Sequence, residues 1–158
     1  MSYYYSIPLV NEAELAQARA VLGTGLARII GYFREDGIKS IGQLEAALAK
    51  RDAAAMVIPA HTLKGESRQF GAQRVGEIAE VIEKTARRCV EQRSLPDEVA
   101  GEIAMLRGCF METLQLLGEA MPSPLAQPGM ARGAPAPMRP ASPAFSSPGA
   151  RIFGRRSD

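Results

Sequence analysis

An all-α fold, an antiparallel up-down four-helix bundle with a short N-terminal capping helix and a disordered C-terminal tail, follows from three observations on this 158-residue sequence. Apolar side chains recur at helical spacing in four or five consecutive segments. The connections between those segments are short, which implies antiparallel neighbours. No segment shows the two-residue alternation of a strand. Composition agrees: Trp is absent, aromatic residues make up 6%, and Ala, Leu, Glu and Arg are abundant. Straight-chain residues of this kind lose little rotamer freedom in a helix.

The elements follow in order. Asn11 with Glu14 three residues later is a capping signal for a short helix reaching about Leu22, where Gly23-Thr24-Gly25 interrupts it. A longer helix is expected from about Leu26 to Lys50, with Leu26, Ile30, Phe33, Ile41, Leu44 and Leu48 as its apolar stripe and bends at Gly37 and Gly42. Asp52 caps a third helix that ends near Phe70, ahead of Gly71. Pro59 inside it removes a backbone hydrogen bond and is expected to kink it. The fourth runs from about Gln73 to Gln92, with Val75, Ile78, Ile82, Ala86 and Cys89 on one face. After Ser94-Leu95-Pro96, a fifth covers roughly Asp97 to Ala120, its stripe formed by Val99, Ile103, Leu106, Phe110, Leu114 and Leu117. Residues 1–121 form one domain.

Residues 122–158 read differently. They contain eight Pro and four Gly, with too few apolar side chains to offset the entropy of ordering. This segment is expected to be a disordered tail. It carries five Arg and one acid, Asp158, a net +4 that leaves the domain at −2. Its end, Ala150-Arg151-Ile152-Phe153-Gly154-Arg155-Arg156, is either a short docking motif or a solubilising terminus.

Several classes drop out. No run approaches ~20 apolar residues, so no membrane span is expected, and the N-terminus lacks the pattern of a signal peptide. Cys89 and Cys109 read as reduced core thiols, and the cytoplasm is the expected compartment. The domain lacks the basic face of a nucleic-acid binder. A di-metal bundle needs more inward ligands than a single histidine supplies.

That histidine, His61, has informative neighbours. At about 100° per residue, His61, Lys64, Gly65 and Arg68 share one narrow face with Val57 and Ile58, while Leu63 and Phe70 point to the opposite, core side. An imidazole with its ordinary pKa of ~6.5 is a nucleophile near pH 7. Lys64 and Arg68 lie where they would neutralise phosphoryl oxygens. Gly65 costs helix stability, on the order of 1 kcal/mol, but lets a partner approach closely. Val57 and Ile58 are expected to be exposed and to supply the apolar part of that contact. No nucleotide-binding loop accompanies the site, so the phosphoryl group must come from another protein. Counting back from the turn at Gly71 and Ala72 puts residue 61 level with about residue 82, which makes Glu83 the nearest polar candidate to accept a hydrogen bond from His61 Nδ1. Arg87, one turn on, is a weaker candidate for phosphate or partner contact. Glu66 lies towards the core boundary and needs a partner there.

The run His61-Thr62-Leu63-Lys64-Gly65-Glu66-Ser67-Arg68-Gln69-Phe70-Gly71-Ala72 closely resembles the signature of histidine-containing phosphotransfer (HPt) domains, H-x-L-K-G-small-small-x-x-apolar-G-A. The resemblance covers about residues 10–120. It implies that His61 accepts a phosphoryl group on Nε2 from a receiver-domain aspartate and passes it to another receiver, in a multistep two-component phosphorelay. It implies response regulator receiver domains and a hybrid histidine kinase as partners and a monomeric state. No cofactor of its own is implied, because the Mg²⁺ belongs to the receiver. A Glu at position 83 resembles the phosphotransfer domains of chemotaxis kinases, where it orients the histidine. Glu66 departs from the signature's small residue and, with Pro59, bears on partner choice. A non-catalytic adaptor that sequesters a receiver is the competing reading. A kinase dimerisation domain would instead be joined to an ATP-binding domain.

Overall fold

Side-chain caps and tight turns set most helix boundaries. In the computed structural model, which describes residues 2–119, Asn11 Oδ1 accepts from the Glu14 backbone N–H at 3.1 Å and opens α2 (Glu12–Leu22). Asp52 Oδ1 accepts from the Ala55 N–H at 3.1 Å and opens α4 (Ala53–Gln69) in the same way. Each cap satisfies one of the donors that a helix start leaves without a partner. Between them lies α3 (Leu26–Ala49), joined to α2 by a 3₁₀ turn at Gly23–Gly25. α5 (Gln73–Gln92) ends on Arg93 in the left-handed conformation, φ 54°. A 3₁₀ turn at Asp97–Val99 then leads into α6 (Ala100–Glu119), so this helix begins three residues after the expected Asp97.

The described elements are all helical, and the four long helices among them close a ring: α3 packs on α4, α4 on α5, α5 on α6, and α6 back on α3. The apolar stripes meet inside. Val75, Ile78, Ile82, Ala86 and Cys89 of α5 are buried, as are Val99, Ile103, Leu106, Phe110, Leu114 and Leu117. On α3, Leu26, Phe33, Ile41 and Leu44 are buried, while Ile30 and Leu48 sit at the edge of the core. Both cysteines are buried and free; burial pushes the Cys109 thiol up to about 11, which keeps it protonated. No described helix is long and apolar enough to cross a membrane.

Neither the glycines of α3 nor Pro59 of α4 interrupts its helix. α3 runs unbroken through Gly37 and Gly42, and α4 runs unbroken through Pro59. Gly37 serves packing. Phe110 sits against its backbone so closely that an added Cβ would overlap the ring. Phe110 in turn packs on Phe33 (centroids 5.1 Å apart), which packs on Phe70 (5.2 Å), tying α6, α3 and the end of α4 together. Such aromatic pairs contribute about 0.5–1.5 kcal/mol beyond their buried area.

An N-terminal turn of helix, α1 (Ser2–Tyr5), is not foreshadowed by the sequence pattern. It is held by long-range contacts: Tyr4 is buried, and Arg74 of α5 donates through Nε to the Ile7 carbonyl at 2.7 Å and lies over the Tyr5 ring. The tail expected over 122–158, with its arginine-flanked Ile152-Phe153, lies outside the described residues.

The Gly37–Phe110 contact is testable. Gly37→Ala is expected to lower unfolding free energy by about 1–3 kcal/mol, the usual cost of overpacking a filled core, read by urea denaturation. Unchanged stability would mean that the ring moves aside freely.

Candidate functional site

The site is built on the α4–α5 hairpin. Only Phe70, Gly71 and Ala72 separate the two helices. Gly71 takes a left-handed φ of 73°, a conformation that suits glycine, and its carbonyl accepts from the Asn11 N–H at 2.7 Å, which fastens the start of α2 to the turn. The Ala72 N–H closes the turn on the Ser67 carbonyl at 2.9 Å. From there the two helices run back along each other: Gly76 lies against Ser67, Arg68 reaches Glu80, and His61 meets Glu83.

Glu83 organises the centre. Its side chain is only 7% exposed, yet three cationic or protonatable groups converge on it. His61 Nδ1 lies 3.0 Å from Oε1. Arg87 donates to the same oxygen through Nε at 3.1 Å and Nη2 at 2.9 Å. Lys64 Nζ sits 2.6 Å from Oε2. Burial alone pushes the carboxyl upward, but hydrogen bonds from Lys64, Arg87 and His61, with the Lys64 charge, outweigh it and bring Glu83 down to about 2. Glu83 is therefore ionised at any physiological pH. An ionised carboxylate can only accept, so the ring nitrogen facing it carries the hydrogen: Nδ1 is N–H, and in the neutral ring the lone pair is then on Nε2. The His61 side chain is 62% exposed.

The other expected site residues divide. Gly65 is exposed, with open space where a Cβ would stand, and Ile58 is 75% exposed one turn before His61. Val57 corrects the expectation of exposure: it is half-buried and packed against the core, and its edge lines a groove with Arg87 and Val90 of α5. Lys64 and Arg68 were expected on the solvent face with His61; Arg68 is exposed there, whereas Lys64 is not. Lys64 is instead largely covered and paired with Glu83, and Arg68 is held by Glu80 at 2.9 Å, an acid that also pairs with Lys84. Arg87 faces Glu83 on its own helix.

Glu66 finds its partner in Asp36 on α3. Burial raises its pKa, and the charge and hydrogen bond of Asp36 raise it further. Counting back from the α3–α4 turn at residues 50–52 places 36 level with 66, so the pair was open to the same reasoning that located Glu83. Glu80 was not: it lies well off the level of Arg68 and is reached by the length of the arginine. Among the described residues, no group of three or more His, Cys, Asp or Glu side chains is placed to hold a metal ion.

Because Glu83 titrates lower in the folded protein (about 2) than its ordinary value of 4.5, its ion pairs stabilise the fold fully above pH 4.5 and progressively less as pH falls towards 2. Thermal unfolding midpoints of the wild type and Glu83→Gln should differ at pH 7 and converge across that window. A difference that stays constant down to pH 2 would contradict the ionised network.

Comparisons with known proteins identify the family of this fold. The family model of the Hpt domain matches residues 28–122. The crystal structure of histidine-containing phosphotransfer protein B (HptB) from Pseudomonas aeruginosa PAO1 is similar, with a TM-score of 0.62 and 26% sequence identity over 71% of this chain and 93% of that one. No curated protein sequence matches. With the family model spanning well over half its length, the chain belongs to the Hpt domain family, the histidine-phosphotransfer domains of two-component signalling.

Proposed function

We propose that the protein is a phosphoryl carrier of a multistep relay, with His61 as its phosphoacceptor. It takes the group from one receiver-domain aspartate and delivers it to another. The observation that carries this reading is the 3.0 Å contact between His61 Nδ1 and an ionised, nearly buried Glu83, which leaves the lone pair of Nε2 on an exposed face. The frame we assign is the up-down four-helix bundle, with α2 as its N-terminal cap.

The chemistry follows from that arrangement. Nε2 attacks the phosphorus of the receiver's acyl phosphate, forming the N–P bond as the P–O bond to the aspartate breaks. The electron pair leaves with the aspartate oxygen and regenerates a carboxylate. Nδ1 keeps its hydrogen, and the positive charge gained by the ring faces Glu83. Lys64, one turn from His61, moves from Glu83 to the phosphoryl oxygens as they approach. The return step reverses these changes. Mg²⁺ is supplied by the receiver, and the protein has no kinase activity of its own.

Ile58, the edge of Val57 and the open surface over Gly65 form the face on which the receiver docks. Arg68, tethered to Glu80, lies at its border. The receiver partners, the hybrid kinase upstream, a monomeric state and a cytoplasmic location belong to the same reading.

Incubation with a phosphorylated receiver and Mg²⁺ should place acid-labile, alkali-stable label on the wild type and none on His61→Gln. Gly65→Glu should slow transfer by roughly tenfold or more with its helical circular dichroism unchanged, since the added side chain meets a partner and not this fold. Receiver binding without any label would favour the adaptor reading, and label on His61→Gln would place the phosphoacceptor elsewhere.

A further inference from the structure

The two oxygens of Glu83 have different partners. Oε1 accepts from His61 and twice from Arg87, whereas Oε2 meets Lys64. For Lys64 to reach a phosphoryl oxygen it must leave a carboxylate that is 7% exposed. A buried charge stripped of its partner is strongly disfavoured unless another cation remains. Arg87 is that cation. It stands four residues after Glu83 on α5, on the same face of the helix, so its two hydrogen bonds do not depend on α4 or on where Lys64 points. Arg68 and Lys84 are engaged by Glu80 and are not substitutes.

We infer that Arg87 is a positioning residue that releases Lys64: it holds Glu83 charged and turned towards His61 while Lys64 moves to the phosphoryl group. The inference rests on the reading of His61 as phosphoacceptor and assigns Arg87 a task other than touching the phosphate or the receiver. Without Arg87, Lys64 becomes the main counter-charge of a buried carboxylate and stays on it. Transfer then slows although every group that meets the phosphoryl oxygens is present.

Transfer kinetics against receiver concentration test this with the full chain. In Arg87→Gln the saturating transfer rate should fall roughly tenfold while the half-saturating receiver concentration shifts less than about twofold, and Arg87→Lys should recover most of the rate. A normal rate in Arg87→Gln, beside a wild type that transfers, overturns this inference alone. So does a raised half-saturation at unchanged rate, which marks a receiver contact. A wild type that takes no phosphoryl group overturns the carrier reading and this inference together.

Discussion

A carboxylate closed off from water has to be compensated by its surroundings, and in this protein Glu83 is compensated by His61 and the cations beside it. Lys64, Arg87 and His61 converge on it within 2.6–3.1 Å, and their combined effect exceeds the penalty of burial. The direction of that balance matters. A Glu83 left protonated by burial would offer His61 a hydroxyl donor and leave its tautomer unselected; an ionised one selects Nδ1–H. The tautomer of His61 therefore depends on the cations around Glu83.

Those cations stay in register only if the hairpin does. The three-residue turn at Phe70–Ala72, with Gly71 in a left-handed conformation and bound to Asn11, sets how far α4 and α5 slide along each other. A shift of one helical turn, about 5.4 Å, would carry Glu83 out of reach of His61. The aromatic chain Phe70–Phe33–Phe110 holds the turn to the remainder of the ring, and Gly37 admits Phe110. On the far flank of α4, Glu66 faces Asp36, whose charge with burial raises its pKa. The polar contacts that tie the helix bearing His61 to its neighbour run through α5 at the site.

Much of this was legible in the residues themselves, for identifiable reasons. Asn11 and Asp52 are local capping signals, and the helices they open begin where those signals place them. The stripes on α5 and on Val99–Leu117 became the core because 3.6-residue periodicity leaves only one face for so many apolar side chains. Hairpin counting located Glu83 from the short turn alone. What depended on tertiary contact was hidden. α1 is four residues long, too short to nucleate a helix unaided, and it is held by Tyr4 burial and by Arg74 from 67 residues away. Periodicity placed Glu83 at a boundary but could not give its depth, and it could not show that Lys64 and Arg68 are each paired with an acid of α5. Pro59 and Gly37, local helix breakers by type, are absorbed within unbroken helices because packing outweighs propensity.

The central claim is that Glu83 selects the nitrogen that reacts. Nitrogen-15 NMR of the His61 ring, recorded before and after phosphorylation by a receiver, tests it most directly. The account predicts an Nδ1–H tautomer in the resting protein, one-bond phosphorus coupling to Nε2 in the phosphorylated one, and loss of the tautomer preference in Glu83→Gln. Coupling to Nδ1, or a tautomer preference that survives removal of the carboxylate, would contradict it.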